Sequence, residues 1–244
     1  AFDSLLYPAG GVNGVLNPGN TDLTLAASGG RQQVVNLSWQ EVGSIRLNAR
    51  LSNSNYLGAG NVIATPASGV IGRFYPQHFV LTNSSTANSC GSFSYMSEPA
   101  ISLSYQLEAR NMANNVTQNY GSGYSDTAQF AVVAENLSAG SQTVNLGSRL
   151  AMSSGSWLAG VYSASQTNAA FNRLFSGVAD GPFAQLQLGL QRLSERDMRN
   201  LDGLNMDAST TGSAECGTSC PAVTLASPLD LRYGRLMLEN SYGP

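Results

Sequence analysis

Hydrophobic and polar residues alternate along several stretches of the chain. Residues 101–110, ISLSYQLEAR, are apolar at the odd positions and polar or charged at the even ones. Because successive side chains of a strand point to opposite faces of a sheet, this period of two is typical of a half-buried antiparallel strand. Residues 44–51, 184–191 and 233–240 alternate in the same way. The pattern predicts an all-β protein built of immunoglobulin-like or β-sandwich units in tandem, mainly antiparallel.

Turn-forming residues divide this pattern into two predicted units. A cluster of Pro, Ser and Gly at residues 65–72 marks the boundary. The first unit, residues 1–69, has several short strand patterns between Gly/Asn turns, which indicate most of one immunoglobulin-like β-domain. The second unit, residues 70–244, is predicted to be a larger β-sandwich domain. One stretch within it, residues 164–175, is predicted to form a short helix.

The composition narrows the classes of partner. Charged residues make up 11% of the chain, against roughly 25% in an average globular protein. All twelve basic residues are Arg, and the net charge is −3, so we expect no nucleic-acid partner, which would require clustered Lys and Arg. No apolar run approaches the roughly 20 residues of a membrane-spanning helix. A surface rich in hydroxyl and amide groups fits an extracellular or cell-surface location.

The ends of the chain and its odd number of cysteines favour a fragment of a longer protein. The chain begins at Ala1 and stops directly after a strand pattern, which favours a fragment of a longer protein. Cys216 and Cys220 lie four residues apart in a Gly/Ser/Thr loop, and a disulfide between them is predicted if the compartment is oxidising. A bridge from Cys90 to one of them is the alternative. Either pairing leaves one thiol over.

The sequence predicts no enzymatic activity. Serine catalysis needs a base beside the nucleophile, and the only histidine is His78, within an aromatic strand pattern where a hydrogen-bonded structural role is expected. The G-x-S-x-G motif is absent from the sequence. Two carboxylates could hydrolyse a glycoside, but nothing singles out a pair among the fifteen acidic residues.

Two groups of residues are candidates for ligand binding. Asp197, Asp202 and Asp207 offer oxygen ligands on a Gly-containing loop, so calcium is the one cofactor for which the sequence has candidates, although a solvated hairpin turn explains the same residues. Tyr120, Tyr124 and Trp157 lie in loop-like stretches, NYGSGY and SSGSWLAG, and would contact glycans if they are exposed.

Several longer motifs are more specific. They are SWQEVGSIRLNARLSNSNYLGAGN at 38–61, IGRFYPQHFVLT at 71–82, CGSFSYMSEP at 90–99, YQLEARN at 105–111, TQNYGSGY at 117–124 and LDLRYGRLMLENSYGP at 229–244. In order and spacing this set resembles the large domain of unknown function in the MSHA biogenesis protein MshQ family. Five aromatic residues in these motifs are predicted to pack in the core: Phe74, Tyr75, Phe79, Phe93 and Tyr95. The alternative is that they form an exposed aromatic platform that binds sugars. Arg73 and Arg235 both follow Gly at the start of a strand pattern, and each is predicted to pair with a buried carboxylate or with carbonyl groups at a domain junction.

The resemblance implies a setting and no chemistry. MshQ-like proteins are envelope or surface proteins encoded with mannose-sensitive haemagglutinin type IV pili, so the expected partners are pilus or other surface proteins. No catalytic residue can be carried over to this chain. The main hypothesis is a structural or adhesive module of a pilus-associated surface protein. The alternative hypothesis is a carbohydrate-binding module of an adhesin, assisted by calcium.

Overall fold

The alternating sequence pattern forms strands. The computed structural model describes residues 2–17, 36–48, 58, 68–138, 145–177, 179–194, 196–207 and 221–234. Within them the strands are β1 (Phe2–Tyr7), β2 (Leu16–Asn17), β3 (Ser38–Trp39), β4 (Gly43–Leu47), β5 (Ile71–Phe74), β6 (His78–Ala87), β7 (Ser94–Tyr95), β8 (Ile101–Arg110), β9 (Gln129–Asn136), β10 (Leu150–Ala151), β11 (Ser156–Leu158), β12 (Val161–Phe171), β13 (Phe183–Ser194), β14 (Met206–Asp207) and β15 (Pro221–Arg232). The only helix among these residues is a 3₁₀ turn at Gly147–Arg149. The prediction of an all-β protein is confirmed.

Two five-stranded sheets contain most of the long strands. The front sheet has the order β10-β12-β8-β6, and β11 pairs with β12 beside it. The back sheet has the order β14-β15-β13-β9, and β7 pairs with β15. The β7–β15 pair is parallel, and the other pairs within the two sheets are antiparallel. The mainly antiparallel arrangement is therefore confirmed.

The two sheets face each other across one hydrophobic core. Strand β8 buries alternate side chains, including Leu103 and Leu107, and the opposing β13 buries Leu186, Leu188 and Leu190 in the same cluster. Burying each of these leucines contributes about 1.5 to 3 kcal/mol to folding. This layering is a β-sandwich. Tandem immunoglobulin-like units remain a prediction.

The predicted helix at residues 164–175 is wrong. Residues up to Phe171 belong to β12, which pairs antiparallel with β8 from Val161 to Ala169. Ala169 and Phe171 are fully buried. The stretch contains small residues with weak periodicity of its own, and pairing with a neighbouring strand determines its structure.

A smaller sheet lies at the N-terminal end of the described chain. Its order is β1-β4-β5, with β4 in the centre, and β2 pairs separately with β3. Strand β5 pairs with β4 through Gly43–Phe74 and Ile45–Ile71. The domain boundary between residues 69 and 70 remains a prediction. Strand β5 follows this boundary in the sequence but pairs with β4 of the preceding unit.

The aromatic motif residues divide between core and surface. Phe79 is fully buried, as predicted, and Phe74 and Phe93 are half-buried. Tyr75 and Tyr95 are 42% and 38% exposed, so the core prediction is wrong for these two. Tyr75 follows the end of β5, and its ring lies beneath the Arg199 guanidinium. Tyr95 is on the short strand β7, and its ring packs edge-on against Phe93.

Candidate functional site

A cluster of aromatic rings fills one end of the sandwich. Phe79 of β6 is at its centre, and its ring centroid lies 5.7 Å from Tyr120, 5.6 Å from Phe130 and 5.7 Å from Trp157. These distances are within the range of favourable aromatic pairs. The cluster joins the front sheet, the loop that precedes β9, and the β11–β12 hairpin.

The structure corrects the prediction that Tyr120 and Tyr124 are exposed loop residues. Tyr120 is fully buried and Tyr124 is 1% exposed, and their rings stack at 5.4 Å. The Tyr120 hydroxyl accepts a hydrogen bond from the Ala128 N–H at 2.7 Å. The glycine-rich loop therefore folds back over the core, and its tyrosines belong to the core and not to a glycan platform.

Trp157, the third predicted aromatic, is half-buried. Its ring packs edge-on against Tyr120 with centroids 4.7 Å apart, and its indole N–H donates to the Ala128 carbonyl at 2.8 Å. The loop backbone passes close to it, because a Cβ on Gly121 would lie 2.3 Å from the Cβ of Trp157. Only glycine allows this approach. The close packing holds the Trp157 side chain of β11 against the loop.

A cleft of about 710 Å³ opens beside this indole. Its volume is within the range of roughly 300 to 1,000 Å³ that is usual for small-molecule sites. Its aromatic wall contains Tyr124, Phe130, Trp157 and Tyr162. The remaining lining is uncharged: Gly121, Gly123, Ser125, Thr127, Ala128, Gln129, Ser154, Gly155, Ser156 and Leu193. Two of the three predicted ligand-binding aromatics, Tyr124 and Trp157, thus border one cavity.

The three aspartates predicted to bind calcium contact different residues. The Asp197 carboxylate forms an ion pair with Arg73, and Asp202 lies 3.6 Å from the His78 Nε2. Asp207 belongs to β14 and pairs through its backbone with Pro221. No group of three His, Cys, Asp or Glu residues suited to a metal ion occurs in the described part of the chain. The calcium loop remains a prediction, and one Asp197 oxygen already binds a guanidinium.

Asn205, which lies between the predicted calcium residues Asp202 and Asp207, has a structural partner. Its side chain donates to the Thr224 hydroxyl at 3.0 Å and accepts from the Thr224 N–H at 2.9 Å. This amide ties the segment before β14 to the first half of β15.

Arg73 carries the predicted pairing with a buried carboxylate. Its partner Asp197 has a side chain that is 10% exposed, and the Arg73 Nε lies 3.3 Å from the Asp126 carboxylate. Arg196 reaches the same Asp126 at 2.6 Å, and the Arg73 guanidinium lies 5.4 Å from the ring centroid of Tyr124. The prediction is confirmed for Arg73, and Arg235 lies outside the described residues. The four charged groups tie β5 to the loops at the aromatic end of the sandwich.

His78 and Cys90 are the histidine and the cysteine in the described part of the chain. The His78 Nε2 lies 3.3 Å from the Asn114 side-chain oxygen, in keeping with the predicted structural role. Cys90 is exposed and has a free thiol. Cys216 and Cys220 are outside the described residues, so their disulfide remains a prediction.

Glu41, which the sequence does not distinguish, joins the N-terminal sheet to the sandwich. It is 7% exposed and precedes β4. Its carboxylate accepts hydrogen bonds from the backbone N–H groups of Val42 and Gln118 at 2.8 Å and of Asn119 at 3.2 Å. Burial raises the pKa of Glu41, and the three N–H donors lower it by a smaller amount.

Asn119 makes the second connection at this junction. Its side-chain oxygen accepts from the Val12 N–H at 2.7 Å, and its amide nitrogen donates to the Val12 carbonyl at 2.9 Å. A side-chain amide here mimics a strand partner for the N-terminal backbone. Next to it, the Tyr7 hydroxyl of β1 accepts from the Ser125 N–H at 2.9 Å. We call these contacts of Glu41, Asn119 and Tyr7 the junction.

Comparisons with known proteins give a family and no activity. No curated protein and no solved structure matches the chain. No helix among the described residues is long and apolar enough to cross a membrane. The family model described as DUF6701, third domain, matches residues 41–221, which is most of the 244 residues and contains Glu41, the aromatic cluster and the cleft. The chain therefore belongs to the DUF6701 third-domain family.

Proposed function

We propose that this chain is a non-enzymatic structural module of a pilus-associated, MshQ-like surface protein. The junction is the observation that carries the proposal. A module within a series must hold its ends in fixed relation, and here the N-terminal sheet is bonded into the sandwich by buried polar groups. The family description supports the idea of a series, because it names a third domain.

The chemistry of the junction suits a rigid connection. Three backbone N–H groups converge on one buried carboxylate, and Asn119 makes two further bonds to the N-terminal backbone. Buried hydrogen bonds to a charged group contribute about 1.5 to 3 kcal/mol each. Separating the N-terminal sheet from the sandwich would break several of these hydrogen bonds together. The junction therefore resists a force that pulls on the N-terminal segment.

The composition and the motif set support the surface setting. The chain has few charges, no Lys and abundant Ser, Asn and Gly. Its motifs follow the order found in the MshQ family, whose members are encoded with type IV pili. Pilus proteins or other surface proteins are the partners, and an extracellular, cell-surface location follows from that assignment.

Antibody labelling of intact bacteria tests the location. An antibody against the purified chain should label piliated cells without permeabilisation, and pilin should be recovered with the parent protein after cross-linking. Labelling that appears only after permeabilisation would contradict the proposal.

Force spectroscopy tests the mechanical role. The chain is held by its two ends, and the force at which the N-terminal sheet detaches is measured for the wild type and for Asn119→Ala. A lower detachment force in the variant supports the structural role. Equal forces would mean that the junction carries no load.

Carbohydrate binding is the second candidate function, and the cleft beside Trp157 is the observation that favours it. An array of glycans, probed in calcium and again in EDTA, tests it. A specific signal supports binding, and its loss in EDTA would implicate the loop with Asp197, Asp202 and Asp207. A flat array in both conditions would leave the structural role alone.

A further inference from the structure

We propose that the cleft beside Trp157 binds a short, uncharged oligosaccharide. The inference rests on carbohydrate binding, the second proposed function, and specifies its site and its class of ligand. Four properties of the cleft support it: its lack of charge, its aromatic wall, its unused hydrogen-bonding groups and the rigidity of its frame.

The lining excludes a charged ligand. None of the fourteen residues that line the cleft is Asp, Glu, Lys, Arg or His. Acidic sugars are usually held by arginine, through paired N–H donors. Two arginines in this part of the fold are already committed, since Arg73 pairs with Asp197 and Asp126, and Arg196 also pairs with Asp126. The site therefore suits a ligand without carboxylate, sulfate or phosphate groups.

The aromatic wall suits the apolar faces of sugar rings. Trp157, the half-buried member of this wall, supplies a rigid apolar surface, and its single indole donor is bound to the Ala128 carbonyl. Trp157 thus contributes ring surface and no hydrogen bond to a ligand. The C–H groups on one face of a pyranose ring present the complementary surface.

Polar groups around this wall remain available. The side chains of Thr127, Gln129, Ser154 and Ser156 make no hydrogen bond to other residues in the described part of the chain. Gln129, Ser154 and Ser156 are exposed, and Thr127 is half-buried. Hydroxyl and amide groups both donate and accept, as sugar hydroxyls do. The cleft therefore combines an apolar wall with neutral groups of both polarities, as a neutral saccharide requires.

The frame of the cleft is already in place. The Tyr162 hydroxyl accepts from the Gly155 N–H at 2.9 Å, which holds the β11–β12 hairpin, and Gly121 packs against Trp157 from the opposite side. A ligand that enters does not need to order these loops. Binding to a preformed site avoids the entropic cost of ordering side chains and loops.

Calorimetric titration of the whole chain tests the inference. Cellotriose, maltotriose and chitotriose are the neutral probes, and sialyllactose and trigalacturonate are the anionic probes. We expect at least one neutral sugar to bind and the anionic sugars not to bind. Gln129→Ala should weaken that binding about two- to tenfold, the loss of one hydrogen bond, and Ser156→Arg should abolish it by filling the cleft.

A matched variant and a folding check accompany the titration. Gln106→Ala removes another exposed glutamine, on β8 and outside the cleft, and should leave binding unchanged. All three variants alter exposed side chains, and thermal melting verifies that they fold.

The outcomes separate the inference from the function on which it rests. Neutral binding that Gln129→Ala and Ser156→Arg both leave unchanged would overturn the site but not carbohydrate binding. Binding of the anionic sugars alone would overturn the ligand class. Absence of binding by all five sugars, together with a flat glycan array, would overturn both the inference and the second proposed function.

Discussion

Replacing Glu41 by glutamine tests the junction with a change of one atom. The wild-type carboxylate accepts from three backbone N–H groups, two at Oε1 and one, that of Gln118, at Oε2. Glutamine retains one oxygen, which can still accept from Val42 and Asn119. Its NH₂ group then faces the Gln118 N–H, and two donors meet without an acceptor.

The expected loss follows from those bonds. The Gln118 N–H loses its acceptor and faces the new NH₂ group, so two donors are left unpaired, and the change should lower the free energy of unfolding by about 2 to 3 kcal/mol. For a domain of 150 to 250 residues this corresponds to a fall of about 4 to 12 °C in the melting temperature.

Urea unfolding followed by tryptophan fluorescence measures the change. Glu108→Gln is the control, because Glu108 lies on the outer face of β8 and pairs at 2.7 Å with the partly exposed Arg110. A surface pair of this kind contributes about 0 to 1 kcal/mol. If Glu41→Gln were no less stable than Glu108→Gln, the argument for a stabilising junction would be refuted.

Three further perturbations have definite expected results. The pKa of Glu41 is raised above its usual 4.5, so the native state binds the proton more tightly than the unfolded state does. The free energy of unfolding should therefore fall as pH rises through the interval above 4.5. In urea titrations, the difference in free energy of unfolding between the wild type and Glu41→Gln should be largest at acidic pH. Phe79→Ala should cost about 3 to 5 kcal/mol by calorimetry, whereas Phe175→Ala, at a ring that is 78% exposed, should cost much less. Gly121→Ala should cost about 1 to 3 kcal/mol in the same assay, because its Cβ would collide with Trp157 and its φ is +76°; an unchanged melting temperature would contradict the close packing.

The sheets could be predicted from the sequence because their signal is local. In residues 101–110 the alternation of apolar and polar side chains agrees with the alternation of burial along β8. Residues 164–175 were mistaken for a helix because small and polar residues there carry no clear period, and pairing with β8 provides the order. The local sequence pattern thus predicted the strands that have one strongly apolar face. It failed for residues 164–175, whose strand structure depends on pairing with β8.

The site was less predictable because its contacts are distant in sequence. Tyr120 and Tyr124 lie in a Gly/Ser loop that resembles an exposed turn, but both are buried. Rings from β6 and β11 pack on Tyr120, and the Tyr7 ring of β1 packs on Tyr124. Glu41 has no local signal, since two of its three donors lie 77 and 78 residues away. Arg73 was the exception, because an arginine within an aromatic strand start needs a counter-charge, although the sequence could not identify Asp197 as that partner.

The position of β15 determines when the fold can be completed during synthesis. This last described strand, Pro221–Arg232, lies between β13 and β14, pairs in parallel with β7, and bonds to β6 through Ser84 and Thr86. A chain that ended at residue 221, the limit of the family match, would lack the central strand of the back sheet. The earlier strands must wait for it, so the domain is expected to fold after synthesis of this region, in one slow step governed by contacts that are remote in sequence.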